Sequence, residues 1–164
     1  MGGLTRDSNE PRKLIERKRT DGVGMAEQIA WFRDEYAFLS NFYWSEIEYE
    51  GVLFPTVEHA FQAAKTMDID ERRKISATPA PGSAKRLGRR VKLRSDWERI
   101  KVGLMRDLLR IKFSDPDLAA RLLATGSADL IEGNNWNDTF WGVCRGRGRN
   151  MLGQLLMEVR GEIR

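Results

Sequence analysis

The longest regular pattern in the chain runs from Trp97 to Ile111. Trp97, Ile100, Leu104, Leu108 and Ile111 recur every three or four residues, which lays one apolar stripe along a helix. Ser95-Asp96-Trp97-Glu98 at its start has the form of a capping box. A second helix is predicted after Asp115-Pro116, through Leu118, Leu122 and Leu123, and stops at Gly126. A third runs from about Asn150 to Ile163 with Leu152, Leu155, Leu156 and Val159 inward.

Between Tyr36 and Phe54 the pattern is strand-like. Ile47 and Tyr49 alternate with Glu46, Glu48 and Glu50, Glu50-Gly51 signals a turn, and Val52-Leu53-Phe54 returns as the second strand of a hairpin. Pro55-Thr56 then stops the strand. Thr56 is a good N-cap for a helix from Val57 to Met67. Pro79, Pro81 and Gly82 mark a loop, Ser83 opens a short helix to about Leu87, and Asp129 to Glu132 reads as a short strand. These elements show no β-α-β alternation, so a doubly wound parallel sheet is not expected. The fold class predicted is α+β, a helix-rich single domain with a small antiparallel β-hairpin. Residues 1–28 are polar, glycine-bearing and basic, with no apolar period beyond Leu14-Ile15. They read as a flexible arm ahead of a domain at 29–164.

Length and composition narrow the function classes. A chain of 164 residues is about one domain. No apolar run reaches the roughly 20 residues of a membrane span, and no apolar leader opens the N-terminus. Cys144 is the only cysteine, which rules out an intrachain disulfide and a cysteine-based zinc site and makes the reducing cytoplasm the expected compartment. The net charge of +4 is unevenly spread. Between Arg72 and Lys112 stand fourteen Lys/Arg against three Asp/Glu, an excess of eleven. Such a segment attracts phosphate or nucleic acid, or is simply the solvated face of helices.

Three segments carry candidate chemistry. Trp136-Asn137-Asp138-Thr139-Phe140-Trp141-Gly142 sets aromatics around one carboxylate in a loop. It suits a pocket that stacks a flat ring beside polar chemistry, or a hydrophobic plug with one solvated acid. On the helix after Thr56, Glu58 lies in the positive field of the N-terminus, which favours its ionised form. Phe61 and Lys65 follow on the same face, with Lys65 about 10 Å further along at about 1.5 Å per residue. His59, the only histidine, reads as structural. One histidine without a carboxylate cluster implies no transition-metal site. Cys144-Arg145-Gly146-Arg147-Gly148-Arg149-Asn150 precedes the last helix as either a phosphate cradle or a plain basic turn. No Gly-x-Ser-x-Gly occurs, which leaves carboxylate or lysine chemistry.

Five segments in order resemble one family. They are Phe38-Leu39-Ser40-Asn41-Phe42, then Phe54-Pro55-Thr56-Val57-Glu58-His59-Ala60-Phe61-Gln62-Ala63-Ala64-Lys65, then Ala84-Lys85-Arg86-Leu87-Gly88-Arg89, then Asp138-Thr139-Phe140-Trp141-Gly142, and Gly148-Arg149-Asn150-Met151-Leu152-Gly153. Together they resemble the NADAR or YbiA-like family across roughly residues 36–160. The resemblance implies a YbiA-like α+β fold and hydrolysis of an N-glycosidic bond between a ribosyl group and a base or amine. Some members resemble enzymes that cleave phosphoribosylamino-pyrimidine intermediates of riboflavin synthesis. Others remove ADP-ribose from guanine, with nucleic acid as the carrier. The stretch between Glu132 and Asp138 is a residue longer than the usual pattern, beside the expected base pocket. No cofactor, metal or oligomeric state is implied.

The residues carried over are Asn41, Glu58, Lys65, Lys85, Asp138, Trp141 and Asn150, with Phe42 and Gly142 in the same motifs. Breaking a C1′–N bond builds positive charge on the ribose. Glu58 is expected to stabilise it and activate water, with Asp138 binding ribose hydroxyls or sharing acid-base work. Lys65 protonates the leaving nitrogen or attacks C1′ as an amine. Trp141 and Trp136 stack the base, and Lys85, Arg86, Arg147 and Arg149 hold phosphate. The alternative is a non-catalytic ADP-ribose or NAD-binding module. It has no need of Glu58 and Lys65 side by side.

Overall fold

The computed structural model describes residues 27–163, so the expected N-terminal arm lies almost wholly outside the described residues. The order of elements is β1 (Gln28–Ile29), a short 3-10 turn (Asp34–Leu39), β2 (Trp44–Tyr49), β3 (Val52–Thr56), α1 (Val57–Ala63), α2 (Ile69–Ser76), α3 (Pro81–Gly88), α4 (Trp97–Lys112), α5 (Pro116–Ala124), β4 (Asp129–Leu130), β5 (Gly133–Asn134), β6 (Val143–Cys144) and α6 (Met151–Glu162). The helix-rich α+β class is as the sequence predicts.

The hairpin β2–β3 is antiparallel and closes through Glu50-Gly51, both with positive φ (48° and 72°), the backbone a tight hairpin turn requires. Ile47 and Phe54 face each other across it and are buried. Its register shifts between Trp44 and Ile47. The other two pairings, β1–β4 and β5–β6, are parallel two-residue contacts, so the small sheet content is not all antiparallel. The strand expected to start at Tyr36 is instead the 3-10 turn up to Leu39, which buries Phe38 and Leu39.

Helix α1 is the centre of the molecule. All seven of its residues are buried, Glu58, His59 and Gln62 included. Thr56 caps it as predicted, its Oγ1 accepting from the His59 amide at 3.2 Å. α3, α2 and α4 pack around α1, and α6 packs on α4. The α4 stripe buries Trp97, Leu104 and Leu108 as predicted, while Ile100 and Ile111 stay partly exposed and Met105 and Leu109 join the core.

Three local expectations are corrected. The capping box before α4 does not form, because Asp96, its N-cap residue, makes no cap bond; Oδ1 is held by Arg94 Nε at 2.6 Å. α3 starts at Pro81 rather than Ser83, with proline in the first turn, where its missing N–H costs nothing. A whole helix, α2, occupies residues the pattern leaves unassigned. It is capped by Asp68, which accepts from the Asp70 and Glu71 amides at 2.8 and 3.1 Å. Among the described residues no helix is long and apolar enough to cross a membrane.

Candidate active site

The site forms where α1, α3 and the 132–142 loop meet. Glu58, in the first turn of α1, is 6% exposed and its backbone N–H donates to the Asn41 carbonyl at 3.0 Å. Burial was not foreseen in the sequence, and it reverses the expectation of a readily ionised acid. Loss of water raises the Glu58 pKa; the Gln62 hydrogen bond, Lys85 and Lys65 pull it down, and Asp138 pushes it up. Gln62 Nε2 donates to Glu58 Oε1 at 2.8 Å. Gln62 is held in turn by α3, since a methyl group on Gly88 would stand 2.8 Å from its Cβ and 2.9 Å from its Cδ.

Lys65 does not lie on the helix. α1 ends at Ala63, and Lys65 sits in the turn that follows, its N–H donating to Gln62 O at 3.3 Å. Its ammonium lies 5.8 Å from the Trp97 ring centre. Burial lowers its pKa, Glu58 raises it, and Lys85 and Arg89 lower it further. Glu58, Lys65 and Lys85 therefore share one electrostatic environment, and Asp138 acts on Glu58 from the loop side.

The loop is built around Asp138. Its Oδ1 accepts from the Phe140 and Trp141 amides at 3.1 and 2.9 Å, and Asn134 clasps its backbone from both sides at 2.7 and 3.1 Å. Trp141 packs edge-on against Phe61 at 5.3 Å and Phe140 at 5.0 Å, so the heptad's aromatics tie the loop to α1. Gly142 is buried against its own chain: a Cβ there would run into the Glu132 carbonyl and stand 2.8 Å from Asn134 Nδ2. That contact accounts for the glycine without a ligand.

Of the two readings of the segment before α6, the phosphate cradle gets no support from the amides that open the helix. The amides of Arg149, Asn150, Met151 and Leu152 donate to the carbonyls of Thr139, Gly142, Phe140 and Trp141 at 2.8, 3.3, 3.1 and 3.0 Å. They have no free donor to turn toward a phosphate. Gly148, with φ 148°, clears the Gly142 carbonyl rather than a ligand. Asn150 is a strut: Oδ1 accepts from the Glu132 amide at 3.0 Å and Nδ2 donates to Leu130 O at 2.8 Å, so both ends of its amide are engaged. Arg145, Arg147 and Arg149 are exposed, with Arg149 5.5 Å from the Phe140 ring centre.

The remaining candidates spread outward. Asn41 is buried; its Nδ2 reaches Met105 Sδ at 3.5 Å while Oδ1 has no partner. Arg86 is exposed and donates to Ser83 Oγ at 2.8 Å, so nothing places it with Glu58. Phe42 and Trp136 are 41% and 57% exposed. His59 is structural, with Nδ1 bonded to Thr56 Oγ1 at 2.8 Å and Nε2 to Thr78 O at 3.2 Å.

Three further groups belong here that the pattern passes over. Gln62 orients Glu58. Glu132 is a largely buried acid whose pKa is pushed up to about 7, first by loss of water and then by Asp138. Lys112, 1% exposed with its ammonium on Ser40 O at 2.7 Å, has its pKa pulled down to about 7, first by burial. A long charged side chain at the end of an amphipathic helix reads as solvated, so only the fold reveals Lys112. The groove that Lys112 also lines, about 820 Å³ between β2 and the start of α5, is a separate feature.

Comparison with known proteins shows the family and the fold. The family model of the NADAR domain matches residues 29–164. The chain belongs to the NADAR family. An N-glycosidase YbiA of Escherichia coli is 44% identical over 134 residues, covering 79% of this chain and 83% of that protein. A riboflavin biosynthesis protein of Vibrio vulnificus is 40% identical over 134 residues, 79% of this chain but 36% of that longer protein. The NMR structure of Escherichia coli YbiA superposes with a TM-score of 0.76 at 39% identity, covering 89% of this chain and 90% of that one. The fold of this NADAR chain is thus that of a solved relative, with Glu58, Lys65, Lys85, Asp138 and Trp141 gathered around α1.

Proposed function

We propose that this protein is an N-glycosidase that hydrolyses the bond between C1′ of a phosphorylated ribosyl group and the nitrogen of a base or amine. The observation that carries the proposal is a buried carboxylate, Glu58, flanked by two lysines and faced by a second carboxylate, Asp138, beside an aromatic wall. Departure of nitrogen from C1′ leaves positive charge on the sugar, and a carboxylate in a dry site is worth far more against that charge than one in water. The raised pKa of Glu58 suits it to take a proton from the attacking water. Lys65 has two routes, donating a proton to the leaving nitrogen or attacking C1′ as a neutral amine; its lowered pKa favours the amine form. The names of the relatives support the bond class.

The finer substrate is either ADP-ribose on guanine or a phosphoribosylamino-pyrimidine. The first draws support from Arg86, Arg89, Arg90 and Lys92, which are exposed and follow Lys85 in the chain, a local run of positive charge that suits a nucleic-acid carrier. The rival, a binding module for ADP-ribose or NAD without catalysis, gives no reason to bury an acid beside lysines.

The test is direct. The protein is incubated with ADP-ribosylated guanine DNA and with phosphoribosylamino-pyrimidines, and sugar release is followed by mass spectrometry. Wild type releases sugar from one of them, and Glu58→Gln abolishes release with its melting temperature preserved. Binding without release by wild type would establish the module instead. Borohydride added during turnover labels Lys65 if the amine attacks, and leaves it unlabelled if water does.

A further inference from the structure

Glu132 stands outside the roles assigned so far, yet its setting is that of a reacting group. Its backbone is fixed from both sides, the N–H on Asn150 Oδ1 at 3.0 Å and the C=O accepting from Val143 N at 2.8 Å. Its side chain leans on Gly142, where an added Cβ would meet Cγ at 3.1 Å. One carboxyl oxygen, Oε2, is buried with no hydrogen-bond partner, and no cation among the described residues pairs with the group, although the residue keeps part of its surface open. A buried acid with neither donor nor counter-ion is held most cheaply as the neutral carboxyl, which carries a proton to give.

We propose that Glu132, in place of Lys65, delivers the proton to the leaving nitrogen, and this rests on the N-glycosidase reading above. The groups facing it set the order of protonation. Asp138 and Glu58 raise its proton affinity, while Lys85 and Lys112 lower it. When Glu58 is ionised, its charge therefore helps Glu132 keep its proton, and the two acids start in opposite states. In the reaction the C1′–N bond breaks with its electron pair going to nitrogen, and nitrogen takes the Glu132 proton. A water oxygen bonds to C1′ and passes its proton to Glu58. The acids have then exchanged states, and passing the proton from Glu58 back to Glu132 resets the site.

The experiment is the pH dependence of turnover on whichever substrate wild type cleaves. Wild-type rate falls as pH rises through about 7, where Glu132 loses its proton. Glu132→Gln, which keeps shape but has no proton to give, is slower by about 10²-fold and loses that falling limb. Glu132→Asp withdraws the acid by one methylene, so it is slower but retains the limb; it serves as well where the Gln variant fails to fold. A Glu132→Gln enzyme with wild-type rate and profile overturns the proposal alone. A wild type that cleaves none of the substrates overturns the N-glycosidase reading, and the proposal with it. Melting without substrate reports separately: Glu132→Gln gains on wild type as pH rises from 4.5 past 7, and an unchanging difference shows that Glu132 holds no unusual proton.

Discussion

Replacing Gly88 with alanine isolates the contact that orients Glu58. Taken alone the change favours the helix, since alanine exceeds glycine by up to about 1 kcal/mol in a helical position. Its new methyl group, however, stands 2.8 Å from Gln62 Cβ and 2.9 Å from Cδ, and nearer still to Oε1. Gln62 is 3% exposed, so it has no solvent to swing into. Either α3 backs away from α1 or Gln62 gives up its 2.8 Å bond to Glu58. Overpacking costs about 1–3 kcal/mol, and a hydrogen bond to a charged group is worth about 1.5–3 kcal/mol. Less the helix gain, the expected net loss is about 2 kcal/mol, a fall in melting temperature of roughly 4–8 °C for a domain of this size. Calorimetry on Gly88→Ala, Gln62→Ala and the double variant reads this as a cycle. With Gln62 shortened to alanine, the contacts with Oε1 and Cδ go while the one with Cβ at 2.8 Å stays, so Gly88→Ala costs less in that background but still destabilises. An equal cost in both backgrounds, or a stabilised single variant, refutes the steric coupling.

Two other perturbations probe the supports of the site. Asn150→Ala removes two side-chain bonds to backbone groups and leaves at φ 53° a residue that tolerates the left-handed region less well than asparagine, so urea melts should show a loss of about 3 kcal/mol. Asn150→Gly loses the same bonds without that strain and should recover about 1 kcal/mol of it; equal losses would mean that the backbone conformation carries no cost. For Lys112, burial lowers the pKa from 10.5 to about 7, so the folded state holds this proton less tightly than the unfolded chain. Its contribution is complete above 10.5 and is lost as pH falls through about 7. Melting temperatures measured from pH 6 to 10 should fall toward acid more steeply in wild type than in Lys112→Met, and parallel curves would show that Lys112 stays ionised throughout.

What the sequence discloses depends on whether a feature is local. The Glu50-Gly51 turn, the Thr56 cap and the α4 stripe each follow from a few neighbouring residues, and each stands where the pattern puts it. α2 is not legible because it offers little apolar face: Ile75 is buried, and its other buried residue is Arg72, held by Thr66 O at 2.8 Å and by Glu50. The Ser95–Glu98 capping box fails because Arg94, two residues earlier, competes for Asp96. At the site, Glu58, Lys65 and Asp138 stand out by type and motif, whereas Gln62, Glu132 and Lys112 do not. Their importance comes from being surrounded, and the elements that surround them are distant in the chain.

The four amides that open α6 face carbonyls of the 139–142 segment. A phosphate-binding loop of the usual kind fuses recognition to architecture, because the amides that seat the ligand also begin a helix. Here the two are separate. Attraction for an anion near α6 falls to Arg145, Arg147 and Arg149, exposed side chains that no core contact constrains. Exchanging these one at a time would change the charge of this surface while the helix and the loop that carries Trp141 stay as they are.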